Sequence, residues 1–178
     1  VRAAKYENEI NKYANAYKLP VELIYAVIHT ESYFNPKAKS HAPAYGLMQL
    51  VPKSGARDAY QYVYKKDKIL SANYLYKPEK NIELGSAYLQ LLMTRYFSKV
   101  KDSNTRTLCA IAAYNTGAGN VARAFTGKTN PSKAIPKIND MSYEECYGFL
   151  REYLPYDETK GYIKKVIQRI GMYNTWKK

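Results

Sequence analysis

One acidic side chain interrupts an otherwise apolar helical face. Ile24, Val27 and Ile28 recur at helical spacing, and Glu31 falls on the same face three and four residues further on. Aliphatic neighbours and the negative end of the helix dipole both disfavour a charged carboxylate, so we expect a raised pKa for Glu31. A carboxyl group that keeps its proton near neutral pH can serve as a general acid toward a glycosidic oxygen. The alternative is that Glu31 turns toward solvent at its helix end, as most surface glutamates do.

Four short motifs follow one another along the chain. They are Glu31-Ser32 with a turn at Asn35-Pro36, then residues 46–49 (GLMQ), 113–117 (AYNTG) and 158–162 (ETKGY). In residue type, order and separation they resemble the successive motifs of lytic transglycosylases of the soluble-enzyme, goose-lysozyme-like type. The resemblance spans roughly residues 15–170, and four motifs in register are far more specific than any one of them.

This resemblance implies both a fold and a reaction. The fold is an all-α, lysozyme-like helical domain with a substrate cleft, formed as one catalytic domain over residues 1–178. In the reaction, Glu31 would protonate the oxygen between N-acetylmuramic acid and N-acetylglucosamine and then deprotonate the muramic C6 hydroxyl, which leaves a 1,6-anhydro end. Only one enzymic carboxylate is required, because the attacking hydroxyl belongs to the substrate. No recognisable motif places a second acid near Glu31, since neither Asp58 nor Asp67 lies in one.

The resemblance also assigns two residues to the catalytic carboxyl. Tyr162 matches a tyrosine that in the family lies close to the acid, where its hydroxyl could steer or stabilise it. Without the motif, Tyr162 would be interpreted as a boundary residue beside the apolar stripe that begins at Ile163. Ser32 matches a position that helps to hold the carboxyl, although its hydroxyl could equally cap the end of the helix.

The remaining motif residues are expected to contact the sugar. They are Gly46, Leu47, Met48 and Gln49 in the cleft floor, together with Tyr114 and Asn115. The Tyr114 ring is expected to contact the apolar face of a sugar, and the Asn115 amide its polar edge. Gly46 permits close backbone approach, and Gln49 offers both an amide donor and an acceptor. Met48 supplies an adaptable apolar contact, with plain core packing as the alternative.

Charge and cysteine content limit the partners. Lys and Arg total 28 against 15 Asp and Glu, a net charge of +13 that favours polyanionic partners. The basic residues are spread along the chain and no nucleic-acid motif accompanies them, so we expect no nucleic-acid partner. The resemblance implies peptidoglycan glycan strands as the partner, and we expect a monomer. The two cysteines show no metal-ligand spacing, and we expect no metal and no cofactor. Cys109 lies in an apolar run typical of a buried thiol, and a bridge to Cys146 stays open.

Two other functions are alternatives to the lyase. One is a lysozyme-like muramidase on the same fold, and the other is a non-catalytic peptidoglycan-binding module. No stretch approaches the roughly 20 apolar residues of a membrane span. The resemblance implies a periplasmic or cell-envelope location, and it leaves open an outer-membrane anchor on a segment outside this chain.

The pattern predicts helices almost throughout and few strands. The first two predicted helices cover about residues 3–17 and 19–32, and a short helix is predicted to start at Pro52. A longer helix is predicted from just after Asn81 to about Tyr96, followed by one over residues 106–114. The last two are a helix capped by Ser142 with Glu145 and a helix over residues 158–174. Residues 61–80 are predicted to be irregular, and a Lys- and Pro-bearing loop is predicted before Ser142.

Overall fold

The computed structural model describes residues 2–176, and within that range the protein is α-helical with no β-sheet. The helices are α1 Glu7–Ala16, α2 Val21–Ser32, α3 Gly55–Tyr64, α4 Ala72–Leu75, α5 Pro78–Leu91, α6 Ser103–Thr116, α7 Ala118–Thr126, α8 Pro131–Asn139, α9 Tyr143–Tyr153 and α10 Asp157–Trp176. A 3-10 helix precedes α1 at Ala3–Tyr6, and a π-helical turn follows α5 at Leu92–Tyr96. The predicted all-α class is confirmed.

The chain divides into two compact units. The first contains the residues up to Gln90 together with those from Val166 onward, and the second is Leu91–Lys165. Helices α5 and α10 each contribute residues to both units. Among the described residues, no helix is both long enough and apolar enough to cross a membrane.

Helix α2 is the buried centre of the first unit. Every residue from Leu23 to Ile28 is buried, so this helix is apolar on all sides rather than along one stripe. It packs on α1, whose buried residues include Ile10 and Tyr13. The helix begins at Val21, two residues later than predicted, because Pro20 is extended, and it ends where Tyr33 adopts a left-handed conformation with φ 51°.

Helix α6 has the corresponding position in the second unit, where it packs on α7 and α9. Its residues from Leu108 to Tyr114 are all buried, and the small alanines among them allow close helix packing. Helix α9 begins with the predicted capping box. The Ser142 hydroxyl accepts from the Glu145 backbone N–H, and the Glu145 carboxylate accepts from the Ser142 backbone N–H.

Three predictions about the first unit are wrong in detail. Helix α3 begins at Gly55 and not at Pro52, because a turn precedes it. Residues 61–80 are not irregular throughout, since α3 continues to Tyr64 and α4 and the start of α5 lie in this range. Asn81 does not precede α5 but lies inside it, because the helix already begins at Pro78.

The predicted loop before Ser142 is also wrong, because α7 and α8 occupy most of it. Asn130 caps the start of helix α8 with a side chain that accepts from the Ser132 N–H, and Pro131 suits the first helical position. Pro136 lies inside this helix, which makes the sequence look like a loop. Burial of apolar side chains at Ala134, Ile135 and Ile138 compensates for that unfavourable proline.

Candidate active site

Glu31 lies in the last turn of α2 and is half-buried. The residues that precede it on the same face, Ile24, Val27 and Ile28, are completely buried. A carboxyl group therefore stands at the margin of the apolar core of the first unit, next to the helix end. This placement matches the partial desolvation that the sequence predicts for Glu31.

The residue after Glu31 links α2 to the second motif. Ser32 is buried, and its hydroxyl lies 2.7 Å from the Leu47 carbonyl oxygen and 3.1 Å from the Ile28 carbonyl oxygen. The contact with Ile28 is the local helix-end bond that the sequence offers as one role for Ser32. The shorter contact with Leu47 was not predicted, and it joins the first motif to the second.

The second motif forms a turn that only glycine can begin. Gly46 has φ +82°, and a Cβ atom there would lie 2.3 Å from Asn81 Nδ2 and 2.4 Å from the Leu75 carbonyl oxygen. The close approach that Gly46 permits is therefore between its own backbone and the atoms of Asn81 and Leu75. The Gln49 N–H closes the turn by donating to the Gly46 carbonyl oxygen at 3.1 Å.

Asn81 holds this turn in place, and sequence reasoning missed it. Its buried carboxamide donates to the Tyr45 and Leu75 carbonyl oxygens, each at 2.8 Å, and accepts from the Met48 N–H at 2.7 Å. One side chain thus pairs with three backbone groups of the turn and its surroundings, and of these the Tyr45 carbonyl oxygen also accepts from the Leu50 N–H. The signal available in the sequence is helical spacing, since Asn81, Gly85 and Tyr88 share one face of α5.

The side chains of the second motif differ in exposure. Leu47 and Met48 are completely buried, and Met48 packs so tightly on α5 that a Cβ at Gly85 would lie 2.3 Å from its sulfur. Core packing, the alternative considered for Met48, is what this arrangement shows. Gln49 is half-buried, and its Nε2 donates to the Ala38 and Gly46 carbonyl oxygens, both at 3.0 Å. Both amide hydrogens are therefore directed at the backbone, which leaves Oε1 to accept a bond from a ligand.

A second set of contacts holds the other face of the last turn of α2. The Arg169 guanidinium donates to the Thr30 hydroxyl at 3.0 Å and lies over the Tyr33 ring, 5.3 Å from its centroid. The Tyr173 hydroxyl is 3.1 Å from His29 Nδ1. Burial and the positive charge of Arg169 lower the pKa of His29, so the imidazole is neutral near neutral pH.

The third and fourth motifs meet in the second unit. Asn115 lies near the end of α6, and its Oδ1 accepts a 2.8 Å hydrogen bond from the Thr159 hydroxyl. Thr159 is buried, and sequence reasoning did not single it out although it lies in the fourth motif. Tyr114 and Tyr162 are also largely buried, with 8% and 6% exposure. The bond from Thr159 fixes the carboxamide of Asn115 so that its Nδ2 is available as a donor.

The structure thus pairs the motifs within each unit. Ser32 contacts Leu47 in the first unit, and Thr159 contacts Asn115 in the second. Between residues 2 and 176 there is no cluster of three or more His, Cys, Asp or Glu side chains that could hold a metal ion.

Comparison with known families and proteins gives a consistent picture. The family model for the transglycosylase SLT domain matches residues 8–136. Membrane-bound lytic murein transglycosylase C of Sodalis glossinidius is 39% identical over 165 residues, which is 93% of this chain and 45% of the relative. The protein of the same name from Haemophilus influenzae strain PittGG is 39% identical over 166 residues, 93% of this chain and 46% of the relative. The chain spans less than half the length of these relatives.

Solved structures agree with the sequence relatives. Lytic transglycosylase Slt from Pseudomonas aeruginosa, solved as an inactive mutant, has a TM-score of 0.72 and 25% identity over 96% of this chain and 24% of its own. The 70 kDa soluble lytic transglycosylase of Escherichia coli has a TM-score of 0.70 and 28% identity, over 96% of this chain and 24% of its own. These similarities confirm the predicted lysozyme-like, all-α fold. The chain belongs to the transglycosylase SLT domain family.

Proposed function

We propose that residues 1–178 are one catalytic domain of a peptidoglycan lytic transglycosylase, with Glu31 as its general acid and base. The observation that carries the proposal is the position of Glu31, a half-buried carboxyl group at the end of a helix face that is otherwise completely buried. Membership of the SLT family and the names of the relatives give the reaction class. The family match runs through both units, which supports a single domain.

The proposed reaction begins and ends with a protonated Glu31. The carboxyl group donates its proton to the glycosidic oxygen between N-acetylmuramic acid and N-acetylglucosamine, and the bond from that oxygen to the anomeric carbon breaks. The carboxylate then takes the proton of the muramic C6 hydroxyl while that oxygen bonds to the anomeric carbon. The product has a 1,6-anhydro end, and no water is consumed. One carboxylate is sufficient for both proton transfers.

The other motif residues are proposed to orient the sugar. Gln49 Oε1 would accept from a hydroxyl or acetamide N–H, and Asn115 Nδ2 would donate, because the remaining polar atoms of both side chains are already bonded within the protein. The Tyr114 ring supplies an apolar surface. Tyr162 is proposed to assist the acid through its hydroxyl, in line with its place in the fourth motif.

Three motif residues have supporting roles in this proposal. Leu47 and Met48 are buried, so they would support the turn from beneath, and Ser32 would fix the turn to the helix that carries Glu31.

We further propose that the protein acts as a monomer in the cell envelope, where its net charge of +13 attracts the carboxylates of peptide stems. Any membrane anchor would lie outside these residues, and the reaction requires no cofactor.

Product analysis tests the function directly. Purified sacculi are digested in water labelled with heavy oxygen by the native chain, by Glu31→Gln and by Glu152→Gln, which removes an exposed glutamate of α9 as a matched control. We expect unlabelled 1,6-anhydro ends from the native chain and the control, and at least about a 100-fold loss of turnover in Glu31→Gln. Labelled reducing ends would instead establish a muramidase. Unchanged turnover in Glu31→Gln would overturn the assignment.

Binding and stability separate catalysis from folding in the same variants. Glu31→Gln should still bind glycan and should unfold at the same or a higher temperature, because it replaces a poorly solvated acid with a neutral amide of equal size. A large fall in Tm for Glu31→Gln, with Glu152→Gln unaffected, would contradict the placement of Glu31. Binding without turnover in the native chain would support a non-catalytic binding module.

A further inference from the structure

The second unit contains a pair of thiols that the proposed reaction does not use. Cys109 lies on α6 and Cys146 on α9, and these two helices pack against each other. Both side chains are completely buried, with 0% exposure. The chain has no further cysteine, so each of the two has only one partner available within the protein.

The two thiols lie within hydrogen-bond reach of each other. The Cys109 thiol donates a hydrogen bond to the Cys146 sulfur, and this bond together with burial raises the pKa of Cys109. The same bond stabilises the thiolate form of Cys146 and lowers its pKa. A disulfide requires two cysteines whose Cβ atoms face each other, and thiols that share a hydrogen bond between packed helices meet that requirement.

The backbone around both cysteines is well ordered by local structure. Cys109 lies in the middle of α6, and Cys146 lies in the first turns of α9, where its N–H donates to the Ser142 carbonyl oxygen at 2.9 Å. The capping box of Ser142 and Glu145 fixes the start of α9 immediately before Cys146. The folded unit therefore holds the two sulfurs in one orientation, and α6 and α9 bring the same two sulfurs together as they approach that arrangement during folding.

We propose that Cys109 and Cys146 form a disulfide bond that joins α6 to α9 when the chain folds in an oxidising compartment. The thiolate of one cysteine attacks the disulfide of an oxidised dithiol carrier to give a mixed disulfide, and the second thiolate then attacks that bond. The protein gains one S–S bond and loses two thiol protons, and the carrier is reduced to its dithiol. Because neither sulfur is accessible in the folded unit, this exchange takes place before α6 and α9 close over the pair.

The bond would stabilise the second unit. It closes a loop that contains α7 and α8, and cross-linking a loop of this length restricts the unfolded chain more than the folded one. Disulfides of this kind persist in the envelope, where oxidising conditions prevail, and the occurrence of the bond in the cell rests on the envelope location proposed above. Its formation in vitro does not depend on that location or on glycan turnover.

Refolding under defined redox conditions tests the proposal. The full chain is unfolded, refolded either with a mixture of oxidised and reduced glutathione or with excess reductant, denatured in an alkylating reagent, and weighed by intact-mass spectrometry. We expect no alkylated thiols in the monomer refolded with glutathione and two after refolding with reductant. Two free thiols, glutathione adducts or cross-linked dimers after oxidative refolding would each overturn the proposal.

Thermal unfolding supplies an independent readout. The oxidised native chain should unfold at least about 5 °C above the reduced chain. The double variant Cys109→Ala with Cys146→Ala should show the same Tm under both conditions, whatever its absolute stability, because the comparison is made within one variant. A Tm that does not depend on redox state in the native chain would contradict the proposed cross-link. Glu31→Gln should form the bond as the native chain does, so loss of the proposed catalysis and loss of the disulfide are distinguishable.

Discussion

The hydroxyl of Ser32 donates a 2.7 Å hydrogen bond to the carbonyl oxygen of Leu47. Ser32 follows Glu31 in the last turn of α2, and Leu47 lies in the turn that also carries Gln49. This bond ties the helix end beside the proposed acid to the segment proposed to orient the sugar. One buried hydroxyl group thus links these two elements directly.

Removal of that hydroxyl should weaken both folding and turnover. Ser32→Ala leaves a buried carbonyl oxygen without its donor, so we expect a loss of about 1 to 3 kcal/mol in the free energy of unfolding. Turnover of sacculi should fall as well, because Glu31 and the second motif are no longer tied. Urea unfolding measures the change in stability, and the release of soluble products from sacculi measures the change in turnover. Ser98→Ala, at an exposed position, is the control, and a Ser32→Ala chain as stable as that control would refute the role of the bond.

Two glycine substitutions should have opposite effects. Gly46→Ala requires a side chain at φ +82° and places its Cβ 2.3 Å from Asn81 Nδ2, so we expect a loss of about 3 kcal/mol or more. Gly148→Ala adds a methyl group in open space within α9 and should stabilise the chain by up to about 1 kcal/mol. Urea unfolding of both variants measures the contrast. Equal stability of the two would show that the turn is not as crowded as described.

The bond between Thr159 and Asn115 should influence substrate affinity. Thr159→Val keeps the shape of the side chain but removes the hydroxyl that orients the Asn115 carboxamide. We expect a loss of about 1 kcal/mol in stability and a several-fold rise in KM, with a smaller change in kcat. Thr175→Val removes an exposed helical hydroxyl and is the matched control. A change in kcat alone would argue against an orienting role for Thr159.

Stability should depend on pH through His29. Burial and Arg169 lower the folded-state pKa of His29 below its ordinary value of 6.5, so the unfolded chain binds a proton at higher pH than the folded chain does. This contribution to stability is fully present above about pH 6.5 and is lost as the pH falls toward the folded-state pKa. We expect Tm to fall between about pH 7.5 and 5.5, and His29→Gln to reduce that fall. His41→Gln, at an exposed position, should leave the pH dependence unchanged. An identical pH dependence in His29→Gln and the native chain would exclude His29 as its source.

Local patterns in the sequence were sufficient for the helical class and for much of the helix placement. The bounds of α2 and α10, the capping box of α9 and the buried face that leads to Glu31 all follow from periodicity and helix-end preferences, which act over a few residues. The four motifs could be identified for the same reason, because each is a short run of residues. By contrast, α7 and α8 are short helices stabilised by packing within the second unit, and local preference alone favours a loop at Pro136.

The partners of the proposed site residues were decided by tertiary structure alone. Ser32 and Leu47 are 15 residues apart, Met48 and Asn81 are 33 apart, and Asn115 and Thr159 are 44 apart. Hydrogen bonds over such separations depend on how helices and turns pack, and no local pattern records them. Burial of Met48 against Gly85 has the same origin. The sequence by itself thus determined which residues are proposed to carry the chemistry, and the folded chain determined what holds them, because long-range contacts exist only once the core has formed.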